Sequence, residues 1–139
     1  MDKYVVSACL VGKNTKYNGG NNRNEKIIEF LKDKEYILVC PEVRGGLSIP
    51  RAPSEIVNNK VINVEGKDVT KEFYDGSNKE IQRVKEFNAT KAILKSRSPS
   101  CGLNVIYDGT FSGKVTTGDG VFTKELKKLG IEILTELDF

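Results

Sequence analysis

Four short apolar runs are separated along the chain by longer stretches of mixed polarity. They lie at residues 3–10, 36–40, 90–96 and 131–137. Each run is bounded by glycine, asparagine or charged residues. Short apolar runs bounded in this way are typical of strands buried in a parallel sheet, so we predict four such strands.

Three stretches between these runs carry apolar residues at helical spacing. They predict helices at residues 24–32, 68–88 and 120–129. Asn22 or Asn24 is placed to cap the first helix. Gly76 predicts a break in the second helix, and Gly130 is placed to end the third.

The alternation of strands and helices is typical of α/β proteins. It predicts right-handed crossovers and a three-layer α/β/α fold, with helices on both faces of a mainly parallel, four-stranded, Rossmann-like sheet. Residues 57–64 predict a small hairpin insertion, and residues 104–120 predict turns or a second short hairpin. Residues 41–56 predict an irregular loop because they contain three prolines and two adjacent glycines. We expect residues 1–139 to form a single domain.

Composition and charge exclude several classes of protein. The net charge of +3, from 22 basic and 19 acidic residues, is too weak to indicate nucleic-acid binding by itself. No apolar run approaches the roughly 20 residues that a membrane helix needs. The first residues also lack the basic region and cleavage site of a signal peptide. We therefore expect a cytoplasmic protein that does not bind membranes.

The chain contains three cysteines and no histidine. An odd number of cysteines argues against a closed set of disulfides. The lack of histidine excludes a Cys–His dyad, a Ser–His–Asp triad and any histidine-ligated metal site within this chain. Any proton transfer must therefore use Asp, Glu, Lys, Tyr, Ser or water.

The cysteines fall where three of the predicted strands end. Cys9 lies near the end of the first strand, Cys40 ends the second, and Cys101 follows the third. The carboxyl ends of parallel strands meet at one edge of a sheet, so the three thiols are expected to share a site. Burial as small apolar residues is the alternative for Cys9 and Cys40, whereas Cys101 lies in a polar turn.

Three thiolates without a fourth ligand indicate a metal site with an open coordination position. Structural zinc usually takes four ligands, and a cubane cluster is normally held by four thiolates. Three cysteines would leave one iron open, as in a catalytic metal site. A redox thiol site is the alternative, although it would not need three cysteines.

Two residues beside the cysteines are candidate catalytic residues. Glu42 follows Cys40 closely and could act as a general base or acid. Its alternative role is that of a surface carboxylate paired with Arg44 or Arg51. Ser100, directly before Cys101, could orient a water molecule or donate to a leaving group, or it could simply cap a Ser/Pro turn.

Further polar residues near the strand ends are candidate substrate-binding residues. They are Ser7, Arg44, Arg51, Ser98 and Asp119. Arg51 could bind a carbonyl or a phosphate group. Asp119 lies between two glycines before the last helix, in a segment that resembles an anion-binding helix N-terminus. Residues 17–20 predict a polar lid.

Three motifs together resemble the thiouracil desulfidase (TudS) family. They are SACLVG with YNG at residues 7–12 and 17–19, CPEVRGGLSIPRAPSEI at residues 40–56, and KSRSPSCG with YDGTF at residues 95–102 and 107–111. The motifs are long and follow the family's order. The resemblance covers nearly the whole chain and implies a TudS-like α/β domain.

The resemblance implies a [4Fe-4S] cluster held by three cysteines with one iron open. Cys9, Cys40 and Cys101 match the ligand positions. The implied reaction removes sulfur from a thiolated pyrimidine without redox chemistry. In it the thiocarbonyl sulfur binds the open iron, water attacks the carbon, sulfide stays transiently on the cluster, and uracil departs. Glu42 and Ser100 match the acidic residue and the serine to which water positioning or proton transfer is assigned.

Some relatives carry an added domain and are directed at thiouridine nucleotides or RNA. The lack of such an extension here favours a free thiopyrimidine or its nucleotide as substrate, and it disfavours nucleic acid. Two other functions remain open. The chain could be a metal-, cluster- or sulfur-binding module without turnover, or a nucleotide-binding domain with incidental cysteines.

Overall fold

The chain folds into eight strands and four α-helices, described for residues 1–139 by a computed structural model. The strands are β1 (Lys3–Ser7), β2 (Glu35–Val39), β3 (Ser54–Val57), β4 (Lys60–Asn63), β5 (Lys91–Leu94), β6 (Val105–Tyr107), β7 (Val115–Thr117) and β8 (Glu132–Thr135). The helices are α1 (Glu25–Leu31), α2 (Pro41–Arg44), α3 (Thr70–Phe87) and α4 (Val121–Lys128). Short 3₁₀ turns cover Ala8–Val11 and Glu136–Asp138.

The central sheet has the strand order β2-β1-β5-β8, and all of its strands are parallel. Val5 of β1 pairs with Ile37 of β2 on one side and with Ala92 of β5 on the other. The chain leaves β1 to form β2 on one side and later returns to form β5 on the other. This reversal opens a crevice at the carboxyl ends of the strands, where α/β proteins bind ligands.

Side chains alternate between the two faces of the sheet, and both faces are covered by helices. On one face, buried residues of the strands pack against α3 and α4; this cluster includes Val5, Ala92, Leu94, Val84, Phe122 and Leu126. On the other face they pack against α1; this cluster includes Tyr4, Val6, Ile93, Ile27 and Leu31. The predicted three-layer α/β/α fold is therefore confirmed. No helix combines the length and the apolar character needed to span a membrane.

Two antiparallel hairpins lie outside the central sheet, β3–β4 and β6–β7. The first is the predicted insertion, but it begins at Ser54 instead of residue 57, and its turn is Asn58-Asn59. Both asparagines have positive φ, 49° and 66°, as tight hairpin turns require. The second hairpin corresponds to the turns predicted over residues 104–120.

Two of the predicted boundaries are wrong at the ends of the first two strands. β1 ends at Ser7, because Ala8–Val11 tighten into a 3₁₀ turn that Gly12 closes with φ 95°. After β2, the predicted irregular loop instead begins with helix α2. Pro41 occupies its first position, where the missing N–H of proline costs no helical hydrogen bond.

Gly76 does not break α3, contrary to the prediction. The helix runs continuously from Thr70 to Phe87. Gly76 is where α2 crosses α3, and a Cβ atom there would lie 1.7 Å from Pro41 O and 2.7 Å from Gly45 N. Glycine is thus required by the close approach of two helices, and the contact fixes the position of α2 at the end of β2.

We expect Gly76→Ala to lower the free energy of unfolding by about 3 kcal/mol. Overpacking usually costs about 1–3 kcal/mol, and the upper value applies here because the added methyl group would meet rigid backbone. Urea denaturation monitored by circular dichroism would measure it. The matched control is Asn78→Ala, at an exposed position of the same helix, which should change stability by less than about 0.5 kcal/mol. Equal midpoints for the two variants would contradict the rigid α2–α3 contact.

Candidate active site

The crevice at the carboxyl ends of the strands forms a cavity of about 530 Å³. Cys9 enters it from the turn after β1, Cys40 from the residue directly after β2, and Cys101 from the loop after β5. All three thiols are free. The parallel sheet therefore brings three cysteines that are distant in sequence to the wall of one cavity.

The cysteine thiols are held in their neutral form by their surroundings. Burial raises the pKa of Cys101 to about 12 and also raises the pKa values of Cys9 and Cys40. A hydrogen bond of 3.4 Å from Asn22 Nδ2 to Cys9 Sγ opposes only part of this rise in pKa. At neutral pH the sulfur atoms therefore keep their protons unless a bound metal displaces them.

The three cysteines are soft donors at the wall of one cavity. No three His, Cys, Asp or Glu side chains are arranged closely enough to bind one metal ion. Three soft sulfur donors, with no imidazole in the chain, are chemically compatible with an iron–sulfur cluster.

Glu42 lies at the cavity wall in the first turn of α2 and accepts hydrogen bonds from two sides. Ser100 Oγ donates to its Oε2 over 2.8 Å, and Arg51 Nε donates to its Oε1 over 3.2 Å. The Glu42 and Arg51 side chains are only 16% and 8% exposed, so this is not a surface ion pair. Arg51 is itself fixed by the carbonyl oxygens of Thr15 and Ser48.

The loop before Cys101 is organised by the hydroxyl group of Ser98. Ser98 Oγ accepts the N–H groups of Ser100 and Cys101 over 3.1 and 3.0 Å, and it lies 3.0 Å from Ser100 Oγ. Ser100 Oγ is also 3.7 Å from Cys101 Sγ. The hydroxyls thus cap a Ser/Pro turn and also form a chain from Ser98 through Ser100 to Glu42, and both serines line the cavity.

Ser7 lines the cavity at the end of β1. It is buried, and its Oγ accepts the N–H of Lys95 over 3.0 Å. A hydrogen bond from Ser7 also lowers the pKa of the Cys101 thiol, against the larger effect of burial. Of the predicted lid over residues 17–20, Tyr17 is the residue that lines the cavity.

Two of the predicted substrate-binding residues do not line the cavity. Arg44 points to α3 and donates to Glu80 Oε1 over 3.2 Å. Asp119 accepts the N–H of Asn104 over 2.7 Å and pairs with Lys127 over 2.8 Å. We therefore leave Arg44 and Asp119 out of the candidate site.

The N-terminus of α4 is not available to an anion, contrary to the prediction. Its first N–H groups donate to carbonyl oxygens of the loop before Cys101: Val121 N bonds to Pro99 O, and Phe122 N bonds to Ser100 O. Gly120 packs directly on this loop, where a Cβ atom would lie 2.4 Å from Ser100 C. These N–H groups hold the cysteine loop in place instead of binding a ligand.

Comparison with known proteins identifies the family to which the chain belongs. The family model described as 2-thiouracil desulfurase matches residues 4–138. The chain belongs to this family. A Bacillus subtilis (strain 168) relative, the uncharacterized protein YbbK, is 41% identical over 95% of this chain and 94% of its own length.

A solved structure of the [4Fe-4S]-dependent thiouracil desulfidase TudS is similar over 100% of this chain and 93% of its own. The TM-score is 0.93 and the sequence identity is 34%. The resemblance to the TudS family is therefore confirmed, and the chain has the fold of an iron–sulfur desulfidase.

In this member of the desulfurase family, Glu80 supports the site although the sequence analysis did not single it out. Its side chain is completely buried. Oε2 accepts the N–H of Cys40 over 2.8 Å, while Oε1 accepts from Arg44 over 3.2 Å and from Arg83 over 2.8 Å. The sequence does contain a signal for the burial of Glu80: it lies on the apolar face of α3, between Phe73 and Val84.

A second group missed by the sequence analysis anchors the other side of the site. Glu136 accepts the N–H of Ser96 over 2.7 Å and its hydroxyl over 2.6 Å, and it pairs with Lys95 over 3.0 Å. Burial raises the pKa of Glu136, but these hydrogen bonds and the charge of Lys95 lower it further, so the net shift is downward. Nothing in the sequence linked these residues, because β8 must first pair with β5.

We expect Glu80→Gln to lower the free energy of unfolding by about 2 kcal/mol. The glutamine side chain replaces one acceptor oxygen with an NH₂ group, which would face a donor from Cys40, Arg44 or Arg83 and leave it unpaired. Guanidinium denaturation would measure it. Glu86→Gln, an exposed position on the same helix, is the control and should change stability by less than about 0.5 kcal/mol. A Glu80→Gln protein as stable as the control would contradict the role of the carboxylate.

Proposed function

We propose that this desulfurase-family member removes sulfur from a thiolated pyrimidine such as thiouracil by non-redox hydrolysis. The proposed cofactor is a [4Fe-4S] cluster held by Cys9, Cys40 and Cys101. The observation that carries the proposal is that these thiols line the same cavity as the hydrogen-bonded pair Glu42 and Ser100. A likeness to the [4Fe-4S]-dependent thiouracil desulfidase TudS supports it.

The proposed reaction exchanges a thiocarbonyl sulfur for the oxygen of water, and it yields the pyrimidine carbonyl and hydrogen sulfide. When bound, the cluster would supply an iron without a protein ligand, a soft Lewis acid suited to sulfur that polarises the carbon–sulfur bond. The protein must then hold the ring, orient the water molecule and move its protons.

We propose that Glu42 takes a proton from the attacking water molecule. Arg51 and Ser100 hold opposite oxygens of its carboxylate, and this fixes the plane of the group at the cavity wall. We assign to Ser100 the orientation of the water or the donation of a proton to the departing sulfur, because its hydroxyl contacts Glu42 and lines the same cavity. No histidine is needed for this proton transfer.

Substrate binding is proposed for Ser7, Ser98 and Arg51, which supply polar groups to the cavity. The proposed substrate is a free thiopyrimidine or its nucleotide and not a nucleic acid, since the net charge is only +3. We place the reaction in the cytoplasm, whose reducing conditions suit three free thiols.

The function is tested by reconstituting the cluster anaerobically, measuring iron, sulfide and visible absorption, and then assaying sulfide release from 2-thiouracil, 4-thiouracil and their nucleotides. Release from one of them supports the proposal. A stoichiometric cluster without release from any thiopyrimidine would instead favour a cluster- or sulfur-binding module. Ligand binding that is independent of the cysteines would favour a nucleotide-binding domain.

We expect each of the variants Cys9→Ser, Cys40→Ser and Cys101→Ser to lose most of the bound iron after reconstitution, because a serine hydroxyl is a harder and weaker ligand for iron than a thiolate. Iron content and visible absorption measure the loss. Asn78→Ala serves as the control and should load iron like the wild type. Full iron loading of any one serine variant would remove that cysteine from the proposed ligand set.

We expect Glu42→Gln to lower kcat by about 10²- to 10⁴-fold, the usual contribution of a general base, while iron content stays unchanged. Steady-state sulfide release measures kcat. Glu65→Gln changes an exposed glutamate in the same way and should retain activity. A Glu42→Gln protein with wild-type kcat would exclude Glu42 as the base.

A further inference from the structure

The loop between β6 and β7 carries an aromatic residue in an unusual backbone conformation. Phe111 has φ 56°, in the left-handed region that bulky side chains disfavour. Gly109 in the same loop also has positive φ, 90°, but glycine adopts this without penalty. A strained non-glycine residue persists only where its surroundings hold it, and such residues cluster at binding sites.

The Phe111 side chain lines the cavity and is only partly buried. It belongs to none of the three apolar clusters that form the core. Core packing therefore does not account for the strain at this residue. A large aromatic ring at the wall of a cavity is instead a typical ligand-binding group.

The loop is held in place by Glu55 of β3, which also lines the cavity. Its Oε1 accepts the N–H groups of Gly109 over 3.0 Å and of Phe111 over 3.1 Å. Gly109 also packs against β3, where a Cβ atom would lie 2.8 Å from Ile56 O. Hydrogen bonds to a carboxylate are stronger than those to a neutral acceptor. The Glu55 side chain therefore fixes the backbone on both sides of Thr110.

We propose that Phe111 stacks on the flat face of the substrate ring and so determines specificity for planar pyrimidines, and that Glu55 is the positioning residue that holds Phe111 there. The inference rests on the proposed function for the identity of the ligand. A phenyl ring makes no hydrogen bond to the ring edge, so this contact selects planarity and not the position of the sulfur. The position of the sulfur on the ring must then be recognised by the polar groups that line the cavity.

Binding of the desulfurised product isolates this contact from turnover. We suggest equilibrium dialysis of the cluster-loaded protein with uracil and with 5,6-dihydrouracil, whose saturated ring is puckered and cannot stack in the same way. Base–aromatic stacking contributes enough that Phe111→Leu should weaken uracil binding by roughly fivefold or more, with little effect on dihydrouracil. Phe111→Tyr retains the ring and should preserve the preference for uracil.

The positioning role of Glu55 is tested with two substitutions. Glu55→Ala removes the acceptor of both N–H groups and should reduce the preference for uracil over dihydrouracil, and it should raise the KM for thiouracil more than it lowers kcat. Glu55→Gln keeps an oxygen acceptor and should restore most of the preference. A merely structural role would lower binding of the two ring types equally.

The outcomes separate this inference from the proposed function. If Phe111→Leu keeps the wild-type ratio of uracil to dihydrouracil affinity, or if the wild type does not distinguish the two rings, stacking by Phe111 is overturned whether or not thiouracil is turned over. If the wild type prefers uracil through Phe111 but releases no sulfide from any thiopyrimidine, the stacking role stands and the desulfidase function fails.

Discussion

The buried carboxylate of Glu80 connects the longest helix to the turn from which the site is built. A completely buried charge is tolerated because three donors surround it: two arginines and the N–H of Cys40. One of those arginines belongs to α2, so the same group fixes the short helix that carries Glu42. Together with the glycine contact between α2 and α3, this fixes the backbone that carries Cys40 and Glu42.

Burial affects the sulfur atoms and the polar groups of the site differently: it disfavours ionisation of the thiols, and it strengthens the hydrogen bonds to Glu42. It raises the pKa values of the cysteine thiols, which makes the thiols poor nucleophiles by themselves. The same low exposure strengthens the hydrogen bonds from Ser100 and Arg51 to Glu42. The cavity therefore combines protonated thiols with an oriented carboxylate beside them.

The parallel sheet and the clustering of the cysteines could be predicted from the sequence. Short apolar runs identify the strands, and parallel strands bring the residues at their carboxyl ends to the same edge of the sheet. The roles of Gly76, Arg44 and Asp119 could not be predicted in this way. Gly76 is required by the approach of α2, which is formed by a distant part of the chain, and Arg44 turns away because Glu80 offers it a buried partner. The N–H groups that follow Asp119 bond to the cysteine loop, a contact that exists only once α4 has docked.

Because Cys9, Cys40 and Cys101 follow three different strands, no part of the chain shorter than residues 9–101 can bring them together. During synthesis, the first two cysteines leave the ribosome well before the third and before the strand that places it. A cluster held by all three thiols, as we propose, would therefore be completed only after the third cysteine and the strand that places it have been synthesised.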